Sequence, residues 1–173
     1  ILGLPSSGLH TNGYSLARKI VFEAAGLGVH DPMPHTGRTV AEALMEPHVS
    51  YAKLMQLVMK VVDVRGMAHI TGGGITENFP RILPEGLGAE VNLESWEVPG
   101  VFRFLQEAGS VEELEMLRTF NLGVGFMLVV PEGHVAKALE TIELAGKTCQ
   151  VVGRITRGDR RVHYIGKLRY AGE

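Results

Sequence analysis

"ILGLPSSGLHTNGYSLARKIVFEAAG", residues 1–26, sets the pattern for the whole chain. Four apolar residues, 1–4, read as a strand. A helix pattern follows over 12–25, in which Ala17, Ile20, Val21 and Ala24 keep the i, i+3, i+4, i+7 spacing of a buried face. Gly26 stops it, as a residue tolerant of positive φ does. Between strand and helix stand eight small or polar residues, "SSGLHTNG" (6–13). They have two physical readings. Thr11 or Asn12 can cap the helix by accepting from an orphan amide. Alternatively, the free N–H groups and the helix dipole can hold an anion such as phosphate, with Gly8 and Gly13 letting it approach the backbone. The residues by themselves leave both readings open.

The same logic recurs twice. "GMAHIT" (66–71) reads as a strand whose alternation puts His69 and Thr71 on one face and Ala68 and Ile70 on the other. Gly72, Gly73 and Gly74 follow, then a short helix over 75–82 that contains Pro80. Three glycines in a row are costly in backbone entropy and suggest close approach to something. Glu77 and Asn78 fall in the first helical turn, where an acid is favoured in any case. The third junction, "FNLGVG" (120–125), leads into "VGFMLVV" (124–130), an apolar run suited to a strand covered on both faces. Read alone, that junction is a turn or bulge. Neither the Walker pattern nor the dinucleotide G-x-G-x-x-G is present.

Working outward, 27–38 is rich in proline and glycine and reads as a long loop, followed by a short helix over 40–45. Tyr51, Leu54, Met55, Val58, Val61 and Val62 form one helical stripe. "AEVNL" (89–93) reads as a strand, 101–108 and 111–118 as helices, and 135–145 as a helix closed by Gly146. "CQVVGRI" (149–155) and "VHYIGKL" (162–168) read as strands, joined as a hairpin through "TRGDR". Interleaved helices and locally pairing strands indicate an α+β fold with a mixed β-sheet covered by helices.

With 173 residues, 45% of them hydrophobic and 21% charged, the chain suits one globular domain. A net charge of -2 without a basic stripe argues against nucleic acid as partner. Cys149 is the lone cysteine, which leaves no disulfide framework and fits a reducing, cytoplasmic setting. No apolar run is long enough to cross a membrane. His30 and His35 lie in the long loop without a third-ligand spacing, so they read as surface histidines, and no metal ligand is assigned in the chain. Cys149 reads as an inert core thiol and Trp96 as a plug at the core edge. Ile1 already belongs to a strand and no initiator Met precedes it, so 1–173 is expected to be one domain cut from a longer chain.

The three junctions in this order, "SSGLHTNGYSLARK", "AHITGGGITENFPRILP" and "RTFNLGVGF", resemble the C-terminal domain of the phosphoribosylformylglycinamidine cyclo-ligase family, the aminoimidazole ribonucleotide synthetases. "EALMEPHVSYAKLM" and "SWEVPGVFRFLQEAG" match in place, and the similarity runs from Ile1 to about Ile155. A looser form of the first two motifs is shared with selenophosphate synthetase, thiamine-monophosphate kinase and a hydrogenase maturation factor. The resemblance implies an α/β/α layered fold and an ATP- and Mg2+-dependent ring closure of formylglycinamidine ribonucleotide. It also implies a homodimer, with an N-terminal domain holding most ATP and metal ligands. By motif, Ser6, Ser7, Gly8, His10, Asn12 and Gly13 would line one wall of the cleft. His69, Thr71, Gly72, Gly73, Gly74, Glu77 and Asn78 would line the other, supported by Asn121, Gly123 and Gly125. His10 or His69 would shuttle a proton. Two departures stand out: Thr11 replaces a usual serine, and His48, Val49, Ser50 and Tyr51 replace a segment with a Thr-Arg pair, so no ligand role is carried over there. Another superfamily kinase, or a non-catalytic domain binding phosphorylated ligands, remains an alternative.

Overall fold

The computed structural model describes residues 1–172. β1 (Leu2–Pro5) leads through the first polar junction into α1 (Tyr14–Arg18), which widens into a π-helical turn over Lys19–Ala24. The helix therefore starts later than its periodicity suggests. Gly13, at φ 70, takes the N-cap position, and no side chain caps it. Thr11 Oγ1 and Asn12 Nδ2 both donate instead to the His10 carbonyl, so neither is the cap that residue type suggests.

The long loop contains a small ribbon, β2 (Pro32–Met33) with β3 (Arg38–Thr39). α2 (Val40–Leu44) opens on a capping box in which Thr39 and Glu42 satisfy each other's backbone N–H. α3 (Ala52–Val58) ends before its apolar stripe does: Val62 is buried beyond it, while Val61 is exposed. β4 (Gly66–His69) is followed by α4 (Gly74–Asn78), which tightens to a 3-10 turn over Phe79–Ile82 where Pro80 falls in the first positions. Then come β5 (Leu87–Asn92), α5 (Gly100–Gly109), α6 (Glu113–Thr119), β6 (Val124–Val129) and α7 (Val135–Leu144). β7 (Gln150–Val151), β8 (Gly153–Arg157) and β9 (Val162–Ile165) complete the chain.

The fold is α+β. One sheet is antiparallel in the order β4-β6-β1-β7; the other, β8-β5-β9, is mixed, with β5 antiparallel to β8 and parallel to β9. The central strands of the four-stranded sheet, β1 and β6, are covered on both faces, as the apolar run of β6 requires, while the edge strands β4 and β7 are more exposed. On one face Leu2, Leu4 and Leu128 pack against α3 and α7 through Leu54, Val58, Ala138 and Ile142. On the other, Ala68, Ile70, Val124 and Met127 join the larger core with α1, α4, α5, α6 and β5. Each fully buried aliphatic side chain contributes about 1.5–3 kcal/mol to holding these layers. Trp96 is buried in the larger core and donates its Nε1–H to the Leu122 carbonyl at 2.8 Å.

The expected C-terminal hairpin does not form. β5 lies between β8 and β9 and takes one on each edge. The "TRGDR" turn straddles the start of β5 instead: Gly158 and Arg160 donate to the Gly86 and Leu87 carbonyls. A central strand with two unpaired edges outcompetes a local turn because it satisfies more backbone groups.

Candidate functional site

The two polar junctions meet at the ends of neighbouring secondary elements. β1 and β4 flank β6 in the four-stranded sheet, and both run antiparallel to it, so their C-terminal ends lie on the same side. Asn12 Oδ1 comes within 3.5 Å of where a Cβ on Gly72 would stand, which places the first junction against the second. Thr11, Gly72, Glu77 and His69 are exposed there, and Asn12, Thr71 and Gly73 are half-buried. They form one polar rim.

At the rim, with His69 on it and His10 buried behind it, three imidazoles from three chain segments come together. His10 comes from the β1–α1 junction, His48 from the α2–α3 loop and His69 from the end of β4. The rings of His10 and His48 stack with centroids 4.1 Å apart, and His48 Nε2 lies 3.0 Å from His69 Nε2. Tyr51 and Phe126 complete the aromatic floor, 5.1 Å apart. The Tyr51 hydroxyl donates to the Pro5 carbonyl at 2.7 Å, and burial pushes its pKa up.

His10 is the best fixed of the three. Its Nε2 accepts from the Ser7 amide at 2.9 Å, which places the ring proton on Nδ1. That Nδ1 is buried without a partner among the described residues, and it faces Gly125, whose missing Cβ would stand 3.0 Å away. Burial, then His48 and His69, push the His10 pKa down to about 4. His69 is also lowered, by burial and then by His48. The unfolded chain protonates His10 near its ordinary 6.5, so between there and about 4 the unfolded state binds a proton that the native state refuses. Stability from this group is therefore complete above pH 6.5 and is lost as pH falls toward 4. The expected loss is about 2–3 kcal/mol. Urea denaturation at pH 7 and pH 4.5 should show it, with a smaller drop in His10→Gln; an equal drop in both proteins would remove His10 as the cause.

The remaining polar side chains mostly hold loops in place. Asn121 is buried: its Oδ1 accepts from Ser6 Oγ and the Gly123 amide, and its Nδ2 donates to the Gly8 carbonyl, with all three bonds at 2.7–2.8 Å. Asn78, also buried, donates to the Thr71, Gly72 and Gly74 carbonyls and accepts from Thr71 Oγ1. Ser7 Oγ donates to the Pro47 carbonyl. The hydroxyl protons of Ser6, Ser7, Thr11 and Thr71 are thus all used inside the protein.

The glycines divide in the same way. A Cβ on Gly13 would stand 2.4 Å from the Phe120 ring, on Gly74 2.0 Å from the Leu117 carbonyl oxygen, on Gly123 2.6 Å from Pro99, and on Gly125 2.2 Å from the Tyr51 hydroxyl. These four are small because the protein packs on itself there. Gly8 has open space around it, with nothing nearer than 3.9 Å, but is buried. At Gly73, at φ 101, an added Cβ would meet Glu77, its carboxylate oxygen at 2.7 Å and its fixed Cβ at 2.8 Å. Gly72 is the exposed member of the run.

A family model described as "AIR synthase related protein, C-terminal domain" matches residues 1–166. The chain belongs to that family. Its curated relatives include proteins named phosphoribosylformylglycinamidine cyclo-ligase from Citrifermentans bemidjiense, 46% identical over 92% of this chain and 46% of the relative, and from Vigna unguiculata, 49% identical over 92% of this chain and 40% of the relative. The chain thus spans about half the length of the curated relatives it matches. Among solved structures, thiamine-monophosphate kinase from Stenotrophomonas maltophilia K279a superposes with a TM-score of 0.62 at 13% identity, covering 96% of this chain and 50% of that one. HypE of E. coli gives 0.57 at 19% identity over 95% and 46%. At those identities the likeness extends to the fold.

Of the motif residues in this AIR synthase domain, those of the first and second junctions come together at the rim, Asn121, Gly123 and Gly125 lie behind it in the third, and His48 joins the cluster from outside the motifs. His48 falls in the segment without the Thr-Arg pair, yet it bridges His10 and His69. Nothing in the sequence flags it, because its neighbours are 38 and 21 residues away along the chain. His35, by contrast, sits away from the cluster and pairs with Glu107 at 2.9 Å. Cys149 is half-buried, with its thiol pushed up to about 11 by burial. No described helix is long and apolar enough to cross a membrane.

Proposed function

We propose that this domain is the C-terminal half of a phosphoribosylformylglycinamidine cyclo-ligase. In that reaction ATP phosphorylates the formyl amide oxygen of formylglycinamidine ribonucleotide. The substrate's own nitrogen then displaces the phosphate, closing the imidazole ring and leaving ADP, phosphate and aminoimidazole ribonucleotide. The observation that carries the reading is the convergence of the two junctions on one rim, in a chain 44–49% identical to proteins of that name.

Phosphoryl transfer needs positioning and charge stabilisation more than covalent help. With the rim hydroxyl protons engaged, the donors left for a phosphate oxygen are the backbone of Gly72 and Gly73 and the second N–H of Asn12. His69, exposed at the strand end, is the proton acceptor for the attacking nitrogen. His10, buried and fixed in one tautomer, positions the junction rather than exchanging protons. Asn78 and Asn121 act through the loops they pin.

A phosphate of ATP or of the ribonucleotide fits this donor set. Mg2+ does not: Glu77 is the rim's one carboxylate, and Mg2+ takes carboxylate and phosphate oxygens. In this reading Mg2+ and most ATP contacts belong to an N-terminal half that also makes a homodimer, and the enzyme works in the cytoplasm. The test is turnover of formylglycinamidine ribonucleotide by the full-length protein carrying this chain. ATP-dependent release of ADP with aminoimidazole ribonucleotide supports the reading; ADP release only with a different phosphate acceptor sinks it.

A further inference from the structure

We propose that His48 and His69 form a chelating site for a borderline divalent metal ion, with Zn2+ the nearest fit, bound through the Nε2 atom of each ring.

The hydrogen bonds decide which nitrogens are available. Thr11 Oγ1 spends its proton on the His10 carbonyl at 2.6 Å. Toward His48 Nδ1, 3.5 Å away, that oxygen is therefore an acceptor, and His48 carries its proton on Nδ1. His48 Nε2 is left with a lone pair directed at His69 Nε2, which donates to it across 3.0 Å. A ring whose far nitrogen donates to an oxygen while its near nitrogen stays unprotonated is the arrangement a metal-ligating histidine adopts. Two nitrogens at about 2.05 Å from a tetrahedral ion lie roughly 3.4 Å apart, so the pair is within a few tenths of an ångström of chelating distance. His69 is exposed, so its Nε2 proton can pass to Nδ1 through solvent as the ion arrives, with no net proton released.

His10 belongs to the cluster, and candidate nitrogens of all three rings lie within 4.8 Å of one another. It is not a ligand in this arrangement. Its plane lies 19° from that of His48, so stacked rings cannot both aim in-plane lone pairs at one point, and its Nε2 is held by the Ser7 amide. Its stack limits His48 to the orientation that faces His69. The remaining coordination positions open to the groove of about 660 Å³ lined by His48, Tyr51, Met59, Met67, His69 and Phe126. Imidazole nitrogens suit Zn2+ and its neighbours and do not suit Mg2+. The site depends on the His48 and Thr11 side chains of this chain and not on any catalytic role of the rim; an ion on His69 Nε2 would leave that ring's proton on Nδ1, the nitrogen whose lone pair proton transfer uses.

The test is isothermal titration of the purified protein with Zn2+ in the presence of excess Mg2+. The expected result is one saturable equivalent that Mg2+ does not displace, lost in both His48→Ala and His69→Ala, and kept in His30→Ala. Thr11→Val leaves both ligands in place but removes the acceptor for His48 Nδ1–H, and should weaken binding about tenfold. Circular dichroism melts confirm that each variant is folded. No saturable uptake, or unchanged uptake in folded His48→Ala, would overturn the proposal. Turnover is not part of the readout, so its outcome is separate from that of the proposed reaction.

Discussion

Asn121→Ala is expected to cost the protein about 3–5 kcal/mol of stability. The side chain is 1% exposed and makes three hydrogen bonds, two of which join the first junction to the third while the other closes the third on itself. Truncation leaves the Gly8 carbonyl and the Gly123 amide buried without partners, each costing about 1–3 kcal/mol, and frees Ser6 Oγ besides. Other mutations at polar surface positions stay within about 0.5 kcal/mol, so the effect stands well clear of background. For a domain of this size the melting temperature should fall by about 6–20 °C. Asn121→Asp keeps the acceptor but loses the donor to Gly8, and should fall between. A loss under about 1 kcal/mol in Asn121→Ala would mean that the junctions are held by something else.

Gly74→Ala should be nearly as damaging, at about 3 kcal/mol or more. Gly74 sits at φ 58, where an L side chain costs roughly 1–2 kcal/mol. Its Cβ would also stand 2.0 Å from the Leu117 carbonyl oxygen and 2.8 Å from that of Phe120. Both are backbone atoms at the end of α6 and cannot turn aside as a side chain would, which adds an overpacking cost of about 1–3 kcal/mol. Gly72→Ala provides the contrast, since its Cβ would meet only Asn12 Oδ1, at 3.5 Å. Urea denaturation of the two variants should separate them clearly. Equal stability would show that α4 can move away from α6 at little cost.

That contrast shows where sequence reading ends. "TGGG" is visible as unusual, and close approach is a sound inference from it. What approaches Gly74 is a helix end some forty residues later, which no local pattern discloses. Gly13, Gly123 and Gly125 are alike: Phe120, Pro99 and Tyr51 are the reasons they are small. The strands and helices are legible because period-2 and period-3.6 patterns are local, and β6 is recognisable from its apolar run. The β8–β9 hairpin is misread for the opposite reason. Two strands separated by a turn look like partners until a third, β5, from sixty residues earlier, takes both. The π-helical end of the first helix leaves no mark in its spacing. Motif resemblance locates the rim but passes over His48, whose role comes from a stack on one ring and a hydrogen bond to another.

The central claim is that the two junctions form a working rim in which His69 handles a proton of ring closure. Its most direct test is steady-state kinetics of formylglycinamidine ribonucleotide turnover by the full-length protein, wild type against His69→Asn, with melting temperatures measured on the same samples. The account predicts that kcat/KM falls by about 100-fold or more, the usual contribution of a general base, while the melting temperature stays near wild type. An unchanged kcat/KM in a folded His69→Asn protein would contradict it.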